Sequence, residues 1–385
     1  MEGVTVLPFR LWLWLASAPA HMTTPFLRLT ASYPAGELPP PFAPECDTLK
    51  SYVPYTLIPQ VMASDVDHCL KALPQLNRLS PVIEINCGCP SPLCSGKGAG
   101  SGLLKDLGRF HRMISDLTVA LGPQRLAVKM RTGFHDASEF EGLFRGIASL
   151  PLHRLTVHGR TRRDRYTGRA RWDLIQWAAR ETRVPVIFSG DLVDHTGLSR
   201  LRGLSPEASG AIIGRGLLRN PWIFRELATG TSVSLSLSTL IKSLMAFGLL
   251  HRIHFEDSAA PGESRLAALV KDGLLAAPCG TEAAAWDRVL GKIYDALGLS
   301  GSQVTEITLG RQTMGRLKML WHHLRTSLPE PFFSPALMRA TELGPFIEGL
   351  RACAAQNKAE PDSKGVLRLG HNSGHDWLFS GLKSP

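Results

Sequence analysis

The sequence predicts a parallel α/β fold, a (β/α)8 barrel without its first strand, followed by a C-terminal helical domain. Three observations carry that prediction. Short β-rich apolar runs alternate with longer stretches of helical periodicity as far as about Leu227. Most of the apolar runs end in polar or glycine-rich residues, as barrel strands do where they converge on one mouth. Beyond Leu227 the alternation stops, and helical periodicity alone continues from Leu235 to His251, Glu282 to Leu297 and Gln312 to Ser327.

In chain order, a loop and a helix from Leu7 to about Ala16 come first and leave no room for an opening strand. The strand candidates are Thr24 to Leu29, Thr56 to Met62, Val82 to Asn86, Leu126 to Met130, Leu155 to Val157, Val184 to Phe188 and Ala211 to Ile213. Between them, 3.6-residue periodicity predicts helices over Asp65 to Leu79, Leu104 to Leu121, Ala137 to Leu150, Trp172 to Arg180, Asp194 to Leu201 and Leu217 to Leu227. A doubly wound sheet needs no eighth strand, but it does not normally gather functional residues from six strand ends. The TIM barrel is therefore the prediction, and a start placed too far downstream or a truncated chain would explain its missing first strand. Residues 1–229 form the barrel domain in this reading and 230–356 the helical domain, with an insertion around 255–310. Residues 357–385, polar apart from Val366 to Leu369, read as a flexible tail.

Lys and Arg number 43 against 33 Asp and Glu, a net charge of +10, which favours a polyanionic partner without identifying one. The seven cysteines are odd in number, and Cys87, Cys89 and Cys94 crowd one short stretch. That is no disulfide framework, and it fits a reducing cytoplasm. The apolar run Leu11 to Trp14 lacks a basic flank before it and is too short for a membrane span, so neither a signal peptide nor a membrane anchor is expected.

The chemistry concentrates in Asn86-Cys87-Gly88-Cys89-Pro90 and the glycine-rich run to Gly102. A cysteine followed by proline just past a strand end is held on a rigid turn facing the barrel mouth. The glycines beyond it are expected to let backbone approach a ligand. The C-x-C-x4-C spacing lacks a fourth ligand for zinc or an iron-sulfur cluster, so no metal is expected. Gly96-x-Gly98 misses both nucleotide-loop patterns. A buried structural thiol remains the alternative for each cysteine taken singly.

These residues, with Leu103-Leu104, resemble the signature of the tRNA-dihydrouridine synthase family, in wording closest to its bacterial members acting on uridine 16. Met1 to Thr5 resembles the end of the family's opening motif, Val128-Lys129-Met130-Arg131-Thr132-Gly133 its lysine strand, and Val157-His158-Gly159-Arg160-Thr161 its histidine strand. Gly190-Asp191 and Gly214-Arg215-Gly216 resemble its two phosphate loops, and Gly315 to Trp321 part of its helical domain.

The resemblance implies FMN as cofactor, NADPH as reductant, and tRNA as substrate gripped by the helical domain, with a monomer expected. Gln60, Lys129 and His158 are then placed around the flavin ring, and Ser189, Gly190, Asp191, Gly214 and Arg215 around its phosphate. Cys89 takes the role of proton donor to C5 of uracil, and Asn86 that of a donor to the uracil carbonyls. A thiol, with an ordinary pKa of ~8.5, is mostly protonated at neutral pH and suits an acid's role. Arg160, Arg162 and Arg163, in an arginine-rich loop with Tyr166 and Trp172, read as a rim for tRNA phosphates or as a solvated loop. The sequence departs from the family at the missing opening strand and at Ser189, where many members have asparagine. A barrel dehydrogenase of a small pyrimidine and a catalytically silent tRNA-binding protein are the competing readings.

Overall fold

The computed structural model describes residues 3–34, 37–39, 42–257, 264–299, 307–328, 330–356 and 366–368. Helix α1 (Leu7–Ser17) starts with Pro8 in its first turn and ends at Ala18 in the left-handed conformation, whose N–H closes onto the Trp14 carbonyl. All eleven of its residues are buried.

Among the described residues seven strands build the main sheet. β1 runs through His21–Thr23 and Leu27–Arg28, β2 through Thr56–Ile58 and Gln60–Met62, then β3 (Ile83–Cys87), β4 (Leu126–Arg131), β5 (Arg154–His158), β6 (Val186–Ser189) and β7 (Gly210–Ile212). β2 is interrupted at Pro59, which has no N–H for the ladder. Both halves of β1 nonetheless pair in parallel with β2, His21 opposite Thr56 and Leu27 opposite Val61.

Every later strand also pairs in parallel with its predecessor in the chain. An open doubly wound sheet reverses its strand order at a switch point, and this sheet never does, so it curls as a barrel. Among the described residues no strand joins β7 to β1. The edge residues Leu27, Arg28 and Gly210 to Ile212 are half-buried, whereas all five residues of β3 are buried.

The helices between strands are α2 (Val66–Leu79), α3 (Leu107–Leu121), α4 (Phe140–Arg145), α5 (Trp172–Arg180) and α6 (His195–Leu204). Asp65, Asp106 and Asp194 cap α2, α3 and α6 by accepting backbone N–H groups left unpaired at a helix start. The Asp106 cap explains why α3 begins later than its periodicity suggested; a 3₁₀ stretch, Gly100–Lys105, precedes it. The helix expected from Leu217 to Leu227 breaks at Pro221 into the turn Gly216–Arg219 and α7 (Ile223–Thr229), because proline cannot continue the hydrogen-bond ladder.

The C-terminal region holds α8 (Leu237–Phe255), α9 (Arg265–Lys271), α10 (Ala283–Leu297), α11 (Arg311–Leu324) and α12 (Leu343–Gln356). Helix α1 packs on α8, so the first helix of the chain belongs spatially to this helical layer. Trp12 Nε1 donates to the Ser243 carbonyl at 2.8 Å. The Leu15 carbonyl accepts the N–H groups of Cys279 and Gly280 at 2.8 and 3.0 Å. Trp222 and Trp286 both donate to the Gly280 carbonyl, at 2.8 and 3.1 Å.

The segment read as an insertion therefore closes the main apolar seam; its residues 258–263 and 300–306 lie outside the described ones. Of the expected tail, residues 366–368 pair antiparallel with Ser234–Ser236, and the rest lies outside the described residues. No described helix is long and apolar enough to cross a membrane.

Candidate active site

Cys89 stands on the turn just past β3, half-buried, while the other six cysteines are buried. The Asn86 side chain fixes that turn, its Oδ1 accepting the N–H groups of Gly88 at 2.9 Å and Cys89 at 3.0 Å. From the other side, Ser101 donates to the Cys89 carbonyl through its Oγ at 2.7 Å and its N–H at 3.2 Å. Burial pushes the Cys46, Cys69 and Cys279 thiols up to about 12, and pushes Cys87 up as well. Met62, Cys94 and Ala99 form a small buried cluster against which Cys89 and Phe26 pack. Among the described residues, no three His, Cys, Asp or Glu side chains group as a metal site.

The glycines after Cys89 have a use the sequence did not show, in the packing of the loop on itself. A Cβ on Gly96 would lie 2.7 Å from the Pro92 carbonyl oxygen, and one on Gly102 2.5 Å from that of Ser95. On Gly100, at φ +56°, it would meet the Cys89 Cβ at 3.0 Å. These glycines let the loop fold tightly on itself beneath the thiol.

Inside the barrel Gln60 lies opposite Glu84 in the β2–β3 register. Gln60 Nε2 donates to Glu84 Oε1 at 2.5 Å, and Asn86 Nδ2 donates to Gln60 Oε1 at 2.8 Å. Arg154, at the start of β5, pairs with the other Glu84 oxygen at 2.9 Å. Sequence reasoning missed Glu84, although a carboxylate two residues before Asn86 in an apolar strand run points to the same face as Asn86.

The mouth is strongly cationic. Burial pushes the half-buried Lys129 down, Arg131 adds to the effect, and Glu84 opposes it. Arg131, two residues further along β4, was also missed as a site residue; its Nε donates to the Gly88 carbonyl at 2.7 Å and its Nη1 to those of Thr161 and Arg165, both at 2.8 Å. Burial, with Arg160 and Arg215 nearby, pushes its guanidinium down to about 10 against the pull of Tyr166 and Cys89.

His158 is buried, and burial followed by the charges of Arg131, Lys129, Arg160 and Arg215 holds it well below the usual histidine range. Arg160 Nη1 lies 3.3 Å from His158 Nε2. A guanidinium only donates, so Nε2 accepts and the imidazole is neutral with its proton on Nδ1.

The arginine-rich loop divides. Arg160, expected on an exposed rim, is only 1% exposed and pairs with Asp191 at 2.7 and 2.9 Å while donating to the Thr167 and Gly168 carbonyls. Arg171 pairs with Asp164 at 2.6 Å. Arg162 lies over the Phe134 ring at 5.2 Å, and Arg163 is exposed. Tyr166 is held between Arg215 at 4.2 Å and Arg131 at 5.4 Å from its ring centre. Trp172 donates to the Gly190 carbonyl at 3.3 Å.

Of the two phosphate-loop candidates, Ser189 is buried and Gly190 adopts φ +119°, where a Cβ would sit 2.9 Å from that of Ala170. Asp191 turns back to accept Arg160 and the Ala170 N–H. Gly214 has nothing within 4 Å of where a Cβ would be, and Arg215 follows it, half-buried. Gln60, Asn86, Cys89, Lys129 and His158 thus come from four consecutive strands and the turn after one of them, and Arg215 joins the same charge cluster from beyond β7.

A family model described as "Dihydrouridine synthase (Dus)" matches residues 1–243. The chain is similar to "tRNA-dihydrouridine synthase B" of Pseudomonas syringae pv. tomato, 37% identical over 153 residues, covering 38% of this chain and 43% of that protein. It is similar to a "Probable tRNA-dihydrouridine synthase" of Helicobacter pylori, 31% identical over 176 residues, 45% of this chain and 53% of the other. A third relative, "tRNA-dihydrouridine(47) synthase [NAD(P)(+)]" of Coprinopsis cinerea, is 32% identical over 185 residues, 44% of this chain and 27% of the other. The chain spans about half or less of the length of these relatives.

Proposed function

Because the chain belongs to the dihydrouridine synthase family, we propose that it reduces uridine to 5,6-dihydrouridine in the D-loop of tRNA, with FMN as cofactor and NADPH as reductant, in the cytoplasm. The observation that carries the reading is the placement of one half-buried thiol, Cys89, beside Lys129 and Arg131, with Arg215 next to Arg131. A buried cation without a matching carboxylate is costly alone and favours an anionic ligand, and Arg131 is that case, whereas Lys129 has Glu84 and Arg215 has Asp191 nearby. Arg131 bonds three backbone carbonyls and, among the described residues, no carboxylate. The open position at Gly214 and the cation of Arg215 suit a phosphate, and Gly190 allows close backbone approach.

When bound, the flavin supplies the hydride that goes to C6 of uracil. Cys89 gives its thiol proton to C5. Asn86 Oδ1 is committed to the Cys89 turn and one Nδ2 hydrogen to Gln60, which leaves its second amide hydrogen for a uracil carbonyl. Gln60 likewise keeps one Nε2 hydrogen for the polar edge of the ring. Lys129 places positive charge where the reduced ring is anionic. Arg162 and Arg163 receive tRNA phosphates on the rim; Arg160 instead braces the loop that carries them. The wording of the Cys89 segment favours a target at uridine 16.

The test is direct. The purified chain should carry a yellow chromophore released as FMN by mass, and with NADPH it should convert uridine to dihydrouridine in tRNA made without modifications, mapped by mass and by reverse transcription. Flavin with no uridine reduction in any tRNA would overturn the substrate assignment.

A further inference from the structure

Glu84 lies beneath the site, fully buried, and none of the roles above uses it. It stands at one end of a chain of side-chain amides that ends at the Cys89 turn. Arg154 donates to Glu84, Gln60 donates to Glu84, Asn86 donates to Gln60, and the N–H groups of Gly88 and Cys89 donate to Asn86.

The direction of such a chain matters, because a side-chain amide has a donor end and an acceptor end and can be reversed by a half-turn. A carboxylate held by a guanidinium only accepts, so the Gln60 NH₂ must face Glu84 and its carbonyl must face Asn86. Asn86 must then present its NH₂ to Gln60 and its carbonyl to the loop. The loop end makes the same demand, since backbone N–H groups only donate. Both ends therefore select one orientation of both amides, and neighbouring bonds in such a chain reinforce one another.

We propose that Glu84 is a positioning residue which, resting on the reaction assigned above, sets the orientation of Gln60 and Asn86 and thereby locks the turn that presents Cys89. Glu84→Gln sets the two ends of the chain against each other: with its one carbonyl taken by Arg154, the glutamine turns its NH₂ toward that of Gln60, so either that contact is lost or Gln60 and Asn86 reverse and Asn86 presents a donor to the Gly88 and Cys89 N–H groups. The double variant Glu84→Gln with Gln60→Glu restores their agreement: the new glutamine donates to the new glutamate, which still accepts from Asn86.

The full chain as purified is treated with iodoacetamide, and Cys89 modification is followed by mass; the other six cysteines are buried, so the peptide reports one site. Loss of a hydrogen bond to the turn should speed Cys89 alkylation by about tenfold in Glu84→Gln, with the thermal midpoint of the rest of the fold little changed. The same variant should lower kcat for uridine reduction by about tenfold with KM for tRNA unchanged. The double variant should return alkylation to within about twofold of wild type.

Alkylation in Glu84→Gln equal to wild type, or a folded double variant that stays fast, overturns the proposal. If Glu84→Gln does not fold, the double variant decides alone, since its Cys89 must then react at the wild-type rate. The alkylation assay needs neither flavin turnover nor tRNA. A wild-type chain that cannot reduce uridine would overturn the proposed reaction and leave the alkylation result standing on its own.

Discussion

Two buried arginines separate the helical seam from the barrel mouth. Arg10, in α1, meets Glu45 through Nε at 2.5 Å and Nη2 at 2.8 Å, with Tyr55 also donating to Glu45 at 3.2 Å. Burial alone would push Arg10 down, but the charge and hydrogen bonds of Glu45 outweigh it and raise it. Arg131 is equally enclosed yet meets, among the described residues, only carbonyls and the Tyr166 ring and no carboxylate, and it is pushed down to about 10. The seam neutralises its charge, and its α1 residues Phe9 and Trp12 pack edge-to-face on Phe247 and Trp222. The mouth leaves Arg131 without a carboxylate partner among the described residues, an arrangement that suits the anionic ligand proposed above.

The largest test of that contrast removes the seam's counter-charge. Glu45→Ala should lower unfolding free energy by about 3–5 kcal/mol, because it strands a buried guanidinium. Measured by urea denaturation, that loss should leave the flavin spectrum of the remaining folded protein intact. At the mouth the balance reverses: Lys129→Met removes a cation that burial disfavours, so stability should hold or rise slightly. Its rate of uridine reduction should fall by on the order of 10²-fold, the usual scale for losing one electrostatic contact to a reacting centre. A Lys129→Met protein that is less stable but fully active would erase the distinction between the regions.

What the sequence made legible follows the same division. The strands were readable because each is a short apolar run closed by polar residues, and the cysteine turn because Pro90 and its glycines are unusual punctuation. The breaks at Pro59 and Pro221 were foreseeable from proline's missing N–H. Glu84 and Arg131 escaped notice because their value lies in a partner on another strand or loop, which no local pattern displays. Arg160 looked like its exposed neighbours, since an arginine run does not show which member meets Asp191. The role of Gly280, whose carbonyl receives two indoles, was hidden in the least periodic part of the chain.

A smaller effect is expected on the rim. Replacing Arg162 and Arg163 together by alanine should weaken tRNA binding and reduce the slope of log K against log salt by about 2, one per lost phosphate contact. An unchanged slope would make those two residues ordinary surface.

The smallest expected effect is on pH dependence. Burial holds His158 well below the usual range and takes His251 and His323 down to about 4. The unfolded chain then binds more protons than the folded one once pH drops below ~6.5, so stability is full above that value and declines as pH falls toward 4. His251→Asn, which keeps a partner for Thr313 at the position of the present 2.8 Å contact, should make that decline shallower. Denaturation midpoints at pH 7.5 and 5 measure it.

The central claim, that Cys89 is the acid of a flavin-dependent uridine reduction, is tested most directly by single-turnover absorbance. Flavin on wild type and on Cys89→Ala is first reduced by NADPH, and its reoxidation on mixing with unmodified tRNA is then followed. Reduction at equal rates in both proteins, with reoxidation by tRNA slowed about 10²–10⁴-fold in Cys89→Ala, is the expected result. Equal reoxidation rates would contradict the account and assign the proton to another group.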